Sequence, residues 1–496
     1  MSWFARLRAA FALPSRSAPA YEVAGSGRRA LAWLPGNPGV NAAIFASGDA
    51  LRSRSRDLVR RNPWAANAVE VFVANCIGTG IKPQSTAEDT GFREAAQALW
   101  WDWTDEADAA GSTDFYGLQA LACRAMMEGG ECFVRLRRRR PEDGLSVPLQ
   151  LQVLEAEHVP LALNQTLAGG NVVRAGIEFD RIGRRVAYHV YRDHPGDPAT
   201  RPGGHETVRV PAADVVHLFR PLRPGQIRGE PWLAGALVKI NELDQYDDAE
   251  LVRKKTAAMF AGFVTRLAPE DPIMGEGEPD EDGAAVAGLE PGTMQVLAPG
   301  EDVKFSDPAD VGGSYGEVVR AQFRAIAAAA GVTYEQLTGD LTGVNYSSIR
   351  AGLLEFRRRC EMLQHAVIVH QLCRPVWREW MTQAVLAGAL RAPGFERRPA
   401  GYLSVKWVPQ GWQWVDPEKE FKAVVLAIRA GLMSRSEAVS AFGYDAEAID
   451  REIAADNARA DALGLVLDSD PRRVNRTGAA QGDAEPQSAD QESNAA

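Results

Sequence analysis

From Tyr346 to Leu390 the chain carries a helical pattern far longer than any other it contains. Ile349, Leu353, Phe356, Cys360, Leu363 and Val367 recur at alternating spacings of four and three residues, forming one apolar stripe. At 1.5 Å per residue a single helix of that length spans roughly 65 Å. Helices in ordinary domains average about 11 or 12 residues. The pattern therefore predicts an elongated body, or a wall shared between subunits. Pro375 has no N–H to donate and is expected to kink or divide the helix.

The rest of the chain frames this element. Residues 1–49, rich in Gly, Pro, Ser and Ala, read as a flexible N-terminal arm, with helical pattern beginning at Asp49. Residues 50–230 read as a mixed α+β domain. Two helices fill 92–129 and stop at Gly129-Gly130. Strands follow at ECFVRLRR, LQLQVLE, VRAGIEFD, RVAYHVYR and DVVHLF. Pro231 is expected to open a long helix to residue 261, since proline is tolerated where an N–H has no intrahelical partner. That helix runs from acidic (Glu242, Asp244, Asp247, Asp248, Glu250) to basic (Arg253, Lys254, Lys255). Residues 262–313 hold a mobile acidic insertion between short strands GFVTRL and GTMQVLA. A second helix covers 314–330, and a loop region covers 331–348. The long helix and a Trp-rich extended piece fill 349–415. Residues 416–465 read as small helices, with Asp416-Pro417 and Ser434/Glu437 as start signals, and 466–496 as a disordered tail.

Composition narrows the function. The net charge of −10 argues against tight, non-specific nucleic-acid binding. No run of about 18 apolar residues spans a membrane, and the N-terminal arm lacks the apolar stretch of an export signal. The five cysteines (Cys76, Cys123, Cys132, Cys360, Cys373) show no C-x-x-C spacing and read as buried thiols in a reducing compartment. No phosphate-cradling G-x-x-x-x-G-K-[ST] occurs, so the chain is not itself a nucleotide-driven motor.

Three motifs admit a chemical reading and a plainer one. Gly312, Ser314 and Gly316 match the serine-hydrolase pattern G-x-S-x-G, but the preceding residues are polar and Ser314 with Glu317 makes a capping box. Capping is the reading adopted, and a hydrolase centred on Ser314 is the alternative. His189 and His194 flank Asp193 without metal-ligand spacing, so no metal is assigned. Arg135 and Arg137 to Arg140 read as a solvated strand end, with phosphate contact as the alternative. Arg253, Lys254 and Lys255 meet a polyanion if their helix lines a channel, and are otherwise solvated dipole partners.

The order of elements, with stretches 51–83, 126–136, 151–159, 215–237, 331–358 (GVTYEQLTGDLTGVNYSSIRAGLLEFRR) and 416–439, resembles the lambda-type family of tailed-phage portal proteins. The resemblance implies an α+β portal fold. Its parts would be a mixed wing domain (50–230), long stem helices (231–261 and 314–330), a small β-containing clip (262–313) and a helical C-terminal crown (416–465). It implies a non-enzymatic ring of about 12 copies at one capsid vertex, without cofactor, through which double-stranded DNA enters and leaves. Implied partners are the terminase large subunit, major capsid and scaffolding proteins, and head-completion or tail-connector proteins. The implied location is the virion, after assembly in the host bacterial cytoplasm. Gly339, Asp340, Asn345, Tyr346 and Ser347 would form a channel loop, with Arg253, Lys254 and Lys255 as DNA-contact candidates. A scaffold or adaptor ring without DNA passage is a further alternative.

Overall fold

The computed structural model describes residues 36–198, 202–258, 262–266, 301–305, 315–412, 416–467, 470, 472 and 473. The expected tail, the strand GTMQVLA, the acidic insertion and Ser314 lie outside the described residues, apart from a few tail positions.

Helix α1 (Val40–Arg61) starts nine residues before the position expected from the sequence, so the arm ends sooner than residue 49. Its Gly- and Ala-rich first turns carry Ile44 and Gly48 into the buried face, a signal too sparse for periodicity to reveal. Asn62 ends it and caps α2 (Pro63–Cys76), its Oδ1 accepting from the N–H groups of Trp64 and Ala65 at 3.1 and 3.0 Å. Strand β1 (Lys82–Ser85) follows, then α3 (Thr90–Thr104) and α4 (Phe115–Gly129), capped by Asp89 and Asp114. Gly130 closes α4 at φ 88°, and an added Cβ there would lie 2.5 Å from the backbone of Glu230, so only glycine fits.

Strands β2 (Glu131–Arg138) and β3 (Leu149–Glu155) pair antiparallel. Next comes a five-stranded meander of β4 (Gln165–Thr166), β5 (Val172–Arg174), β6 (Ile177–Phe179), β7 (Arg185–Tyr191) and β8 (Thr207–Pro211). Strand β9 (Val215–Phe219) returns to the other edge of β2. The segment VRAGIEFD, expected as one strand, is a hairpin. Ala175 and Gly176 turn it with φ of 50° and 78°, the left-handed pair a tight two-residue hairpin needs.

The alternation of β2 divides two cores. Cys132, Val134 and Leu136 enter the large core, while Phe133 joins Leu154, Ile177, Tyr188 and Val190 in a smaller one between the sheets. The large core centres on Trp100, Trp103, Phe115, Trp377 and Trp380, whose rings pack 4.9–6.3 Å apart.

Helix α5 spans Leu237–Ala258, starting six residues after the expected Pro231, while the expected end at residue 261 lies outside the described residues. Pro231 instead starts a tight turn in which Trp232 Nε1 donates to the Ala330 carbonyl at 2.7 Å. Strands β10 (Gly262–Arg266) and β11 (Glu301–Phe305) form an antiparallel pair. Helix α6 (Tyr315–Ala330) and short α7 (Tyr334–Thr338) lead to α8 (Tyr346–Leu363).

The long helix ends at Leu386 and is divided differently from expectation. A π-helical segment, Gln364–Cys373, separates α8 from α9 (Arg374–Leu386), and Pro375 sits harmlessly in the first turn of α9. The apolar phase slips by one residue at Val367, Ile368 and Val369, all buried, and the wider π turn absorbs the slip. After α10 (Pro399–Leu403), β12 (Val405–Val408) pairs with β1, fixing the extended Trp-rich piece to the body. Helices α11 (Pro417–Arg429), α12 (Arg435–Ala441) and α13 (Ala446–Leu463) end the described chain, with Asp416 and Ser434 capping as expected. No described helix is long and apolar enough to cross a membrane.

Candidate functional site

Helices α5 and α6 run antiparallel. Trp232 meets Ala330, Lys239 Nζ donates to Gln322 Oε1 at 2.7 Å, and Tyr246 stacks on Tyr315 at 5.8 Å. The basic end of α5 therefore lies at the start of α6. There Lys254 Nζ sits 4.9 Å over the Tyr315 ring, and Tyr315 donates its hydroxyl proton to Asp247 at 2.8 Å. Burial and Asp247 push the Tyr315 phenol up to about 12. Arg253 bonds to Glu250 at 2.7 and 2.9 Å, so this cation is held close to an acid of its own helix. Lys255 is exposed.

The other group of sequence candidates forms the turn between α7 and α8. Thr333 and Gln336 make a capping box on α7, which Gly339 closes at φ 71°. Asp340 accepts from the Thr342 N–H and hydroxyl and from Tyr334 Oη, and these hydrogen bonds hold its carboxyl below the usual range. Asn345 Oδ1 accepts from Ser348 N–H at 2.9 Å and starts α8, of which Tyr346 and Ser347 are the first residues. The Asp340 carboxylate also lies 3.9 Å from Arg320 on α6. Tyr315 and Arg320 are five residues apart, so α6 brings the two candidate groups within about 8 Å of each other along its axis. The sequence reading missed Arg320, whose role depends on the fold of the loop.

A buried ionic cluster, also missed, joins the two cores. Glu131 is fully buried and accepts from Arg228 Nε at 2.8 and 3.0 Å, Arg52 Nη2 at 3.2 Å, His217 Nε2 at 2.9 Å and Gly229 N–H at 2.9 Å. Arg228 also donates to the carbonyls of Ala175, Ala156 and Val159. Burial alone would raise the Glu131 carboxyl, but Arg228 and His217 hold it far below the usual carboxylate range. Burial pushes the His217 imidazole down to about 4. Two arginines already balance the carboxylate, so the ring stays neutral and donates from Nε2.

The remaining candidates take structural parts. Glu155, Glu157 and His194 bring potential ligand atoms within 4.8 Å of one another. His194 Nδ1 accepts the Gly196 N–H at 3.1 Å, and its Nε2 lies 3.1 Å from Glu155. Arg56 completes this ion-pair junction, 2.6 Å from Glu157. His189 lies 3.5 Å from Glu178. Arg137, Arg138 and Arg139 bond to Gln152, Glu379 and Gln150. All five thiols are buried.

The model of the phage portal protein, lambda family, matches residues 26–364. A probable portal protein of Halomonas phage phiHAP-1 is 30% identical over 433 residues, covering 85% of this chain and 82% of that protein. Portal protein B of Escherichia phage lambda is 23% identical over 478 residues, covering 86% of each. Among solved structures, a chain from the neck of an empty GTA particle aligns with a TM-score of 0.44 at 16% identity, covering 82% of this chain and 94% of that one.

Proposed function

The chain belongs to the lambda family of phage portal proteins, and on that premise we propose that about 12 copies close into a ring at one capsid vertex. Double-stranded DNA passes through the ring during packaging and ejection. The observation that carries this reading is the family match over residues 26–364. In this reading 50–230 with part of 331–390 is the wing, α5 and α6 are the stem, 262–313 is the clip and 416–465 the crown. The protein performs no catalysis. It docks the terminase large subunit and head-completion proteins, contacts capsid and scaffolding proteins, and resides in the virion after assembly in the host cytoplasm.

The physics agrees with passage rather than grip. Each phosphate neutralised by a fixed cation releases counterions and deepens a binding well. On the helix proposed to line the channel, Arg253 is engaged by Glu250, and Glu242 and Asp248 are exposed. The turn from Gly339 to Asn345 and the start of α8 at Tyr346 and Ser347 face the lumen, with Lys255 and Arg320 as the cations nearest a passing backbone. Negative-stain imaging of the purified protein tests the reading. Rings with an open central hole are expected. A monomer at every concentration, or a ring plugged along its axis, overturns it.

A further inference from the structure

The arginine run of β2 divides by face. Arg138 lies 2.6 Å from Glu379 and 2.7 Å from Asp214, and Arg140, past the end of the strand, lies 3.6 Å from Asp143. Arg135, Arg137 and Arg139 share the face opposite to Arg138, because side chains alternate along a strand. None of these three pairs with a carboxylate among the described residues. Their partners are neutral amides of β3. Arg137 Nη1 donates to Gln152 Oε1 at 2.7 Å, and Arg139 Nε donates to Gln150 Oε1 at 2.9 Å. Gln150 is itself fixed, its Nε2 donating to the carbonyls of Glu106 and Asp108 at 3.0 and 3.3 Å. The Arg135 guanidinium has no hydrogen bond or ion pair among the described residues.

The row begins where the small core ends. Phe133, on the same face, is buried in that core, and β9 pairs with β2 no further than Arg135. A strand rise of about 3.4 Å per residue puts the three side chains about 6.8 Å apart. All three are half-buried. Burial, then Arg135 and Arg139, pull the Arg137 guanidinium below its ordinary value. The chain has a net charge of −10 and supplies two acids to Arg138, one residue away, yet none to this row. The row therefore takes its counter-charge from outside the fold.

We propose that Arg135, Arg137 and Arg139 bind the phosphate backbone of duplex DNA. They do so on elements separate from the loop and helices proposed to line the lumen, so the site goes beyond the ring reading and stands on the row alone. Guanidinium forks match phosphate oxygens bidentately. With five N–H donors each, Arg137 and Arg139 keep donors to spare after bonding to glutamine. The row spans roughly 14 Å, a length over which one strand of a duplex carries about four phosphates. Its flanks are Gln150 and Gln152, where an acidic peptide needs apolar pockets for its side chains. Three contacts give weak, salt-sensitive binding. The slope of log K against log salt from this row is about −2.7, so its share of the affinity falls about 40-fold between about 50 and 200 mM salt.

The test follows the fluorescence anisotropy of a labelled duplex of about 12 base pairs with the full-length protein over about that salt range. The combined variant Arg135→Gln, Arg137→Gln, Arg139→Gln is expected to flatten the slope by about 2.7. Arg140→Gln, a loss of charge beside the row, is expected to leave the slope as it is. Should the combined variant lose its helical circular-dichroism signal, Arg135→Gln alone is expected to flatten the slope by about 0.9, because that guanidinium supports no contact in the fold. An unchanged slope in a folded variant overturns the site. So does displacement of the duplex from wild type by poly-glutamate as effectively as by unlabelled duplex at matched charge, which makes the row a docking face for an acidic chain. Failure of a folded variant to assemble where wild type assembles places a second copy on the row and overturns the site as well. The comparison of slopes holds whether or not the wild type forms rings.

Discussion

At the residue scale, the buried Glu131 carboxylate is where separate parts of the fold meet. It draws α1, β2, β9 and the loop carrying Arg228 to one point, and Arg228 in turn holds the carbonyl of Ala175 at 2.6 Å. Glu131→Gln leaves two buried arginines without their counter-charge, and a loss of about 3–5 kcal/mol is expected in denaturant titration. His217 adds a pH dependence of known sign. Its folded value of about 4 lies below the ordinary 6.5, so the unfolded chain takes up a proton that the folded chain refuses. Stability from this group is full above pH 6.5 and falls as the pH drops towards 4. Urea unfolding at pH 7 and 4.5 should register the loss, and His217→Gln should flatten that part of the slope. Ala175 is the one non-glycine residue at positive φ among those described. Relief of its backbone strain should offset the added chain entropy in Ala175→Gly, giving a gain of up to ~1 kcal/mol.

At the scale of elements, the π segment decides how α8 sits. Phe356, Cys360 and Leu363 on one side, and Trp377 and Trp380 on the other, are all buried because one extra residue is accommodated between them. Arg374 N–H reaches the Val369 carbonyl, five residues back. Deleting the exposed Ala366 should restore a four-residue step and turn α8 by about 100° relative to α9. Limited proteolysis should then cut α8, with α9 still protected; equal protection of both helices would contradict this account. At the other end of α8, Asn345→Ala removes the cap and should cost about 1 kcal/mol in thermal unfolding. Helix identity was readable from periodicity, and caps at Asp416 and Ser434 from residue type. The signal for the π segment was also present, in three successive apolar residues from Val367, but one continuous stripe was the simpler pattern. The early start of α1 and late start of α5 were not legible, because Gly39 and Pro231 say where a helix is permitted rather than where packing makes it form.

At the scale of the whole molecule, an acidic protein is proposed to surround an acidic polymer. Assembled rings should bind free duplex only at the weak end of the non-specific range, about 10⁻⁴ M near physiological salt, as fluorescence anisotropy can measure. Submicromolar binding would contradict a lumen built for passage. Of the candidate site, the loop residues and the basic helix end could be named from sequence, since Gly, Asn and Asp mark turns and a charge run marks a helix terminus. Their common seat on α6 could not, because it depends on how two helices distant from the loop pack together.

The sequence by itself determined the inventory: which segments are helices and strands, where several of them begin, and the family. These follow from local periodicity, turn chemistry and ordered motifs, all carried by neighbours along the chain. Tertiary structure alone decided that Glu131, Arg52, His217 and Arg228 meet, that the one-residue slip in the long helix is taken up by a π turn rather than by a break, and that Asp340 reaches Arg320. Each depends on contacts between residues far apart in sequence, where burial removes water and makes a single charge or a one-residue slip energetically decisive.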